Sequence, residues 1–183
     1  IDLCGFKRPQ SYYRDTLWFS EPRLYIAVHP SYPTDKTPSV TLWGWQDVAS
    51  NWNWAGHEGE TFKVEIYSNC DEVELFLDDV SLGRKPCSRA ERFRTDFEVA
   101  YRSGTLRAAG YISGKPVAEQ VLATTGAPAQ IKLSADRSVL QADGTDLCYI
   151  TVEVLDADGR VFGGCNVENA SSSSGLCAEQ SAV

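Results

Sequence analysis

Short runs of alternating apolar and polar residues, separated by turn residues, extend from about residue 23 to residue 125. In one run, Phe62, Val64 and Ile66 alternate with Lys63 and Glu65. Similar runs occupy residues 24–28, 73–77, 93–99, 106–112 and 117–124. A period of two indicates strands with one buried face, and about 100 residues is the size of an immunoglobulin-like domain. We predict an all-β fold in which residues 23–126 form an immunoglobulin-like antiparallel β-sandwich.

Turn residues mark where these strands connect. Asp78-Asp79 separates two runs as in a two-residue hairpin, because Asp tolerates the left-handed conformation that such a turn requires. Ser103-Gly104 and Ser113-Gly114 predict two further turns.

Residues 1–22 differ from the rest of the chain. Pro9 fits the first position of a short helix that runs to Phe19, and Pro22 closes it. Its predicted side facing a partner carries Tyr12, Tyr13, Thr16, Leu17 and Ser20. Such a helix is too short to be stable alone, so it needs either the following domain or a segment further upstream.

A second β-unit is predicted from residue 127 to residue 183, after a linker at 125–128. Ile131 and Leu133 indicate one strand, and Cys148, Ile150, Val152 and Val154 indicate the inward face of another. The unit is about half as long as a complete immunoglobulin-like domain and is therefore interpreted as truncated. The Ser-rich stretch beyond about residue 163 predicts a flexible, poorly ordered tail.

Charge and hydropathy argue against two classes of partner. The chain has 17 Lys and Arg against 25 Asp and Glu, a formal charge of −8, and no basic run. This balance disfavours nucleic acid and anionic membrane surfaces. No apolar run reaches the roughly 20 residues of a membrane span.

The six cysteines and two histidines indicate neither a metal site nor a cofactor. No pair of cysteines has the C-x-x-C spacing of zinc ligands, and His29 and His57 lack neighbouring ligands in sequence. Cys148 and Cys4 are interpreted as buried thiols. No phosphate-binding glycine loop and no G-x-S-x-G motif is present.

Four of the five tryptophans lie between residues 43 and 54. Trp52 and Trp54, with Asn53 and His57, are candidate sugar-binding residues, because indole faces pack on sugar rings and polar side chains bind hydroxyls. The alternative is that these tryptophans pack in a core or a domain interface. Both interpretations remain open, although the shared parity of Trp52 and Trp54 predicts that both rings point the same way.

Paired carboxylates are the group that glycoside hydrolysis requires. The acids of this chain cluster at Asp71/Glu72/Glu74, Asp78/Asp79 and Asp156/Asp158, in predicted turns or on outward strand faces. No catalytic residue is therefore predicted in this chain.

Three segments together resemble glycoside hydrolase family 2, in its β-galactosidase-like group. Residues 2–15 (DLCGFKRPQSYYRD) resemble the closing stretch of the catalytic barrel. Residues 52–59 (WNWAGHEG) and 64–78 (VEIYSNCDEVELFLD) resemble the immunoglobulin-like domain that follows the barrel. Residues 126–133 (GAPAQIKL), with Asp143-Gly144, resemble the start of a further bacterial immunoglobulin-like domain.

The resemblance implies a longer parent, an exo-acting retaining glycosidase with a (β/α)₈ barrel. In that family the acid/base glutamate follows an asparagine, and no Asn-Glu pair occurs in this sequence. Both catalytic carboxylates are therefore expected upstream, and residues 1–22 are expected to be a remnant of the barrel's end. Two departures are Asn51, where relatives often carry histidine, and Asp78-Asp79 in place of Asn-Gly.

The expected function is a non-catalytic C-terminal accessory region of a β-galactosidase-like hydrolase. Its partner would be the catalytic barrel of the parent chain, with carbohydrate as a further candidate, and the parent is expected in the periplasm or outside a bacterial cell. Two alternatives stay open: an independent carbohydrate-binding module, and a spacer or self-association domain.

Overall fold

The computed structural model describes residues 6–32, 39–40, 42 and 44–162. The flexible tail expected beyond residue 163, and Cys4, lie outside these residues. The chain divides into two compact units, Ile1–Thr124 and Thr125–Val183. Among the described helices, none has the length and apolarity needed to cross a bilayer.

Among its described residues, the first unit has one helix followed by seven strands. The elements are α1 (Pro9–Trp18), β1 (Leu24–Val28), β2 (Thr61–Ser68), β3 (Glu72–Leu77), β4 (Val80–Pro86), β5 (Arg94–Ala100), β6 (Thr105–Ile112) and β7 (Lys115–Ala123), with a 3₁₀ turn at Arg89–Glu91. These elements confirm the prediction of an all-β chain with one short helix at its start.

Two antiparallel sheets make up this unit. The first has the order β1-β2-β5, and the second has the order β4-β3-β6-β7. In the first sheet, Ile66 of β2 lies opposite Ile26 of β1 and Thr95 of β5. In the second, Leu75 of β3 lies opposite Ala108 of β6.

The two sheets share one hydrophobic core. The alternating apolar residues of β2, β3 and β6 point into it, as their period of two predicted. Its buried members are Ile26, Val28, Trp52, Phe62, Val64, Ile66, Val73, Leu75, Leu77, Cys87, Phe97, Val99, Tyr101, Leu106 and Ala108.

The β3–β4 connection is the two-residue hairpin that the sequence predicts. Leu77 lies opposite Val80, and Asp78 and Asp79 between them have φ values of 49° and 63°. Asp78 also accepts a hydrogen bond from the Thr105 N–H at 2.7 Å, which ties the turn to β6.

A second, smaller core covers the outer face of β1 and β2. Tyr25, Ala27, Val48 and Tyr67 form it, with Tyr12, Tyr13 and Trp45 packed against them. The outer face of the first sheet is therefore buried beneath α1 and the segment before β2.

Helix α1 begins at Pro9, whose missing N–H costs nothing at a first helical position. The Tyr12 ring stacks on Tyr25 with centroids 4.1 Å apart, and Tyr13 meets Tyr67 edge-on at 5.4 Å. The following strands thus supply part of the partner surface that so short a helix requires. Trp18, at the end of the helix, is 81% exposed.

The second unit contains the strands β8 (Pro128–Ala135) and β9 (Ile150–Asp156), paired antiparallel. Asp156 anchors its end. Its carboxylate accepts hydrogen bonds from the backbone N–H groups of Gly126, Asp158 and Arg160 at 2.8–2.9 Å.

The prediction that Cys148, Ile150 and Val152 face inward is wrong. Ile150 and Val152 are 60% and 61% exposed, and Ile131 and Leu133 beside them are equally open. The alternation is present, but no second sheet covers this face among the described residues, so the apolar side of the hairpin meets solvent. Cys148 precedes β9, is half-buried and is a free thiol.

Candidate functional site: the tryptophan segment and the buried carboxylates

Trp52 lies inside the core of the first unit. Its side chain is 1% exposed, and its ring meets Tyr101 edge-on at 5.1 Å. The indole Nε1 donates to the backbone oxygen of Arg102 at 3.2 Å, so its one polar group is satisfied. The sequence left two interpretations open, a sugar platform and packing in a core. Trp52 packs in the core.

Trp54 lies at the edge of the same core and is half-buried. Its ring lies 5.1 Å from Phe62, the residue that Trp52 also contacts, so both indoles point the same way as their parity predicted. Its backbone N–H donates to the Tyr101 hydroxyl at 3.0 Å. Within the described residues the buried Nε1 has no hydrogen-bond partner.

His57 lies on a tight loop beyond Trp54. Its Nδ1 is 2.9 Å from the Glu60 carboxylate, which also accepts from the Ser31 hydroxyl at 2.9 Å. These hydrogen bonds, His57 first, lower the pKa of the Glu60 carboxyl. The loop turns at Gly56 and Gly59, whose φ values of 89° and 86° favour glycine.

Asn51 and Asn53 shape the approach to Trp54. The Asn51 side chain accepts from the Asn53 N–H at 3.0 Å, an Asx turn that fixes the backbone locally. Asn53 is half-buried. Asn53, Trp54 and His57 therefore border solvent on one segment, while Trp52 lies beneath them.

Trp45, another tryptophan of the cluster, lies apart from this segment. Trp45 packs in the second core, 5.4 Å from Tyr13 and 6.3 Å from Tyr67. Trp43 lies outside the described residues.

Glu65 is a buried carboxylate at the centre of a polar cluster on the outer face of β2. Its side chain is 7% exposed, 3.6 Å from His29 Nε2 and 3.4 Å from Lys63 Nζ. The Tyr67 hydroxyl donates to it at 3.1 Å. Burial alone would raise the pKa of the Glu65 carboxyl, but His29, with Lys63 and Tyr67, outweighs burial and lowers it to about 2.

Asp156 is the other buried acid among the described residues, and it belongs to the second unit. Hydrogen bonds from backbone N–H groups, that of Gly126 first, lower the pKa of its carboxyl. Both buried carboxylates are therefore held in the ionised form by partners already in place. Neither has the raised pKa that a general acid for sugar cleavage needs.

The alternation of β2 correctly put Glu65 and Tyr67 opposite the core, but their burial was missed. The sequence did contain a signal for this burial. Tyr25 and Ala27 make the outer face of the neighbouring strand β1 apolar, whereas a face exposed to solvent would be polar. In the described part of the chain, no three His, Cys, Asp or Glu side chains are grouped so as to hold a metal ion.

Two families match successive parts of the sequence. Residues 59–118 match the family described as "Domain of unknown function (DUF4982)". Residues 131–168 match "Glycoside hydrolase family 2 C-terminal domain 5".

Curated relatives are much longer than this chain. The β-galactosidase BoGH2A of Bacteroides ovatus is 34% identical over 162 residues, which are 88% of this chain and 16% of the relative. A putative β-glucuronidase of Formosa agariphila is 30% identical over 163 residues, covering 88% of this chain and 14% of the relative.

Solved structures agree with these relatives. A glycosyl hydrolase family 2 member from Bacteroides cellulosilyticus superimposes with a TM-score of 0.81 at 40% identity, covering 88% of this chain and 21% of that one. The chain therefore belongs to glycoside hydrolase family 2 and matches a small C-terminal part of β-galactosidases and β-glucuronidases of that family.

Proposed function

We propose that this chain is a non-catalytic C-terminal accessory region of a β-galactosidase-like enzyme. The observation that carries the proposal is its match to only 14–16% of the length of such enzymes. The parent protein would hydrolyse β-glycosidic bonds in the periplasm or outside a bacterial cell.

The state of the buried acids supports this proposal. A retaining glycosidase needs two carboxyl groups about 5 Å apart across one sugar bond, one of them protonated. Glu65 and Asp156 belong to different units, and each is engaged by groups that favour its charged form. Their role is the stabilisation of the fold.

The domain organisation that we propose has three parts. Residues 1–22 are the end of the catalytic barrel, residues 23–126 an immunoglobulin-like sandwich, and residues 127–183 part of a second such domain. The strand orders β1-β2-β5 and β4-β3-β6-β7 support the middle assignment, because they divide seven strands between two sheets as immunoglobulin-like domains do.

The surface around the end of α1 is our candidate for the contact with the barrel. Leu17, Trp18 and Phe19 at this end are 46%, 81% and 47% exposed. A contiguous group of exposed, large apolar side chains is typical of a surface that contacts another part of a protein.

Hydrolysis assays test the accessory role. We expect the purified chain to release no chromophore above background from nitrophenyl β-galactoside or β-glucuronide. The Glu65→Gln variant, matched in shape, should give the same background. Saturable turnover that disappears in this variant would contradict the proposal.

A carbohydrate-binding module is the second candidate, supported by the half-buried Trp54 beside Asn53 and His57. In this version Trp54 supplies the edge of an apolar platform and the two polar residues bind hydroxyls. Trp52 then acts only by holding the segment from below.

Titration calorimetry against galactosides and plant-wall oligosaccharides distinguishes the second candidate from the first. If the chain is a carbohydrate-binding module, binding should be lost in Trp54→Ala and kept in Trp18→Ala. If no sugar in the panel gives a binding heat, the carbohydrate-binding function is excluded and the accessory role is the one that remains.

Self-association has one supporting observation, the exposed apolar face of β8 and β9. Ile131, Leu133, Ile150 and Val152 on this face are 60–69% exposed. Light scattering over a concentration series would show a dimer if two such faces pack together, and a constant monomer mass would exclude this role.

A further inference from the structure

Two buried thiols lie at one end of the core in the first unit. Cys70 follows β2 and Cys87 follows β4, and each is 0% exposed. Both are free thiols in this structure. Neither belongs to the tryptophan segment or to the Glu65 cluster, so nothing described above uses them.

The backbone holds the two cysteines close to each other. The β3–β4 pairing begins with Glu72 opposite Pro86. One residue further out, the Cys87 N–H donates to the Asp71 oxygen at 3.0 Å, which continues the ladder. Cys70 immediately precedes Asp71, so it lies one position beyond the residue that pairs with Cys87. Residues offset by one position across an antiparallel pair have Cα atoms about 6 Å apart, within the range that a disulfide spans.

Ser68 contacts both cysteines. The Cys70 N–H donates to the Ser68 hydroxyl at 3.1 Å, and the Cys87 sulfur lies 3.6 Å from the Ser68 backbone oxygen. The Cys70 sulfur occupies space beside Gly110, where an added Cβ would lie 2.7 Å from it. Both sulfurs are therefore inside the sandwich at the same corner.

The folded environment makes these thiols unreactive. Burial raises the pKa of the Cys87 thiol to about 12 and also raises that of Cys70. Because the thiolate is the attacking species, neither sulfur can exchange once the sheets have closed over it. Their oxidation state is therefore set while the chain folds.

We propose that Cys70 and Cys87 form a disulfide when the chain folds in the presence of a small organic disulfide, and that the closed sandwich then protects it. One thiolate attacks the oxidant to give a mixed disulfide and releases one reduced thiol. The second cysteine attacks the mixed disulfide and releases the other. The two cysteines lose two protons and two electrons, and the oxidant gains them.

The bond would link the β2–β3 corner to the β4–β5 corner and close a loop around the β3–β4 hairpin. Such a loop restricts the unfolded chain and raises stability. The inference concerns the fold of the first unit and does not depend on the proposed accessory role.

Refolding the whole reduced chain with oxidised and reduced glutathione tests the proposal. Free thiols are blocked with N-ethylmaleimide, and trypsin cuts after Arg84, between the two cysteines. We expect the peptide with Cys70 to be linked to the peptide with Cys87, and reduction to separate them. Alkylation of both cysteines, or linkage of either to another cysteine, would overturn the proposal.

Three controls accompany this experiment: two variants and an already folded sample. The variant Cys148→Ser should keep the link, because this thiol lies in the other unit, whereas Cys87→Ala should lose it. Oxidised glutathione added to reduced, already folded chain should give no link over the same period. Rapid linkage there would contradict protection by the fold.

The linked chain should unfold at higher urea concentration than the reduced chain, and equal midpoints would refute the stabilising role.

Discussion

Trp52 shows why residue type alone did not decide between a sugar platform and a core. The segment around it is polar, yet its ring is enclosed by Phe62 and Tyr101 and its Nε1 is satisfied by a backbone oxygen. Only the path of the chain brings those partners to it. The residue thus acts by packing.

Replacing this tryptophan tests its structural role. We expect Trp52→Ala to lower the free energy of unfolding by about 3–5 kcal/mol, because it removes a fully buried aromatic side chain. Urea denaturation followed by tyrosine fluorescence or circular dichroism measures the change. The control Trp18→Ala, at an 81% exposed position, should change stability by less than about 0.5 kcal/mol. Equal small effects at both positions would contradict the burial of Trp52.

Glu65 predicts a specific loss of stability in acid. Its pKa is about 2 in the folded chain, below its usual value of 4.5, so its contribution is present above pH 4.5 and is lost as pH falls towards 2. A shift of this size corresponds to roughly 3 kcal/mol at most. The wild-type chain should therefore exceed Glu65→Gln in stability at pH 7, and the difference should shrink below pH 4.5.

Urea midpoints of both chains between pH 2 and pH 7 measure this difference. The groups facing the carboxylate are His29, Lys63, Tyr67 and, across the strand pair, Asp96. Glu98→Gln, an exposed change on β5, is the matched control and should follow the wild-type profile. A difference that is constant with pH would contradict the ion-paired state of Glu65.

The β3–β4 hairpin offers a prediction at the scale of one element. Asp79 has a φ of 63° and is 91% exposed at its side chain, so Asp79→Gly should stabilise the chain by about 0.5–1 kcal/mol. Asp78→Gly should destabilise it, because Asp78 accepts from the Thr105 N–H and pairs with Arg102 at 2.6 Å.

Thermal unfolding of the two glycine variants should therefore shift in opposite directions. A higher unfolding temperature in both variants would mean that the contacts of Asp78 stabilise the chain less than its left-handed backbone destabilises it. A loss in both would mean that residue 79 is not held in the left-handed conformation in solution.

The sequence predicted the elements better than their surroundings. Alternation correctly placed the inward faces of β2, β3 and β6, and Pro9 correctly marked the start of α1, because these signals are local. The burial of Tyr67 depends on α1 and the segment before β2, which fold back over the sheet. The apolar outer face of β1 indicates that something covers the sheet, but no local pattern identifies α1 as the cover.

The second unit shows the opposite case. The apolar alternation of Ile150 and Val152 is real, and the strand formed as β9, but an inward face needs a second layer that the described residues do not contain. Periodicity predicts which residues share a face. It does not predict what covers that face.

At the scale of the whole molecule, the two units differ in how much core each has. The first buries side chains of two sheets in one core, whereas the described residues of the second form a two-stranded hairpin with an exposed apolar face. An isolated hairpin is marginally stable at best. We expect amide hydrogen exchange in β8 and β9 to be at least 100-fold faster than in β2 and β6.

Exchange measured residue by residue checks this difference. Exposed amides at the edge of the β8–β9 hairpin give the lowest protection from exchange for comparison, and the amides of β2 give the highest. Protection in β8 and β9 equal to that in β2 would show that this hairpin is covered by more than its described residues supply.

Glu65 and Asp156, the buried acids of the described residues, are expected to stabilise the fold and not to take part in sugar cleavage. A carbon-detected NMR titration of their carboxyl groups is the decisive measurement. We expect both carboxyl groups to have pKa values below their usual range, with the pKa of Glu65 at about 2. A pKa above about 6 for either carboxyl, as a general acid requires, would contradict it.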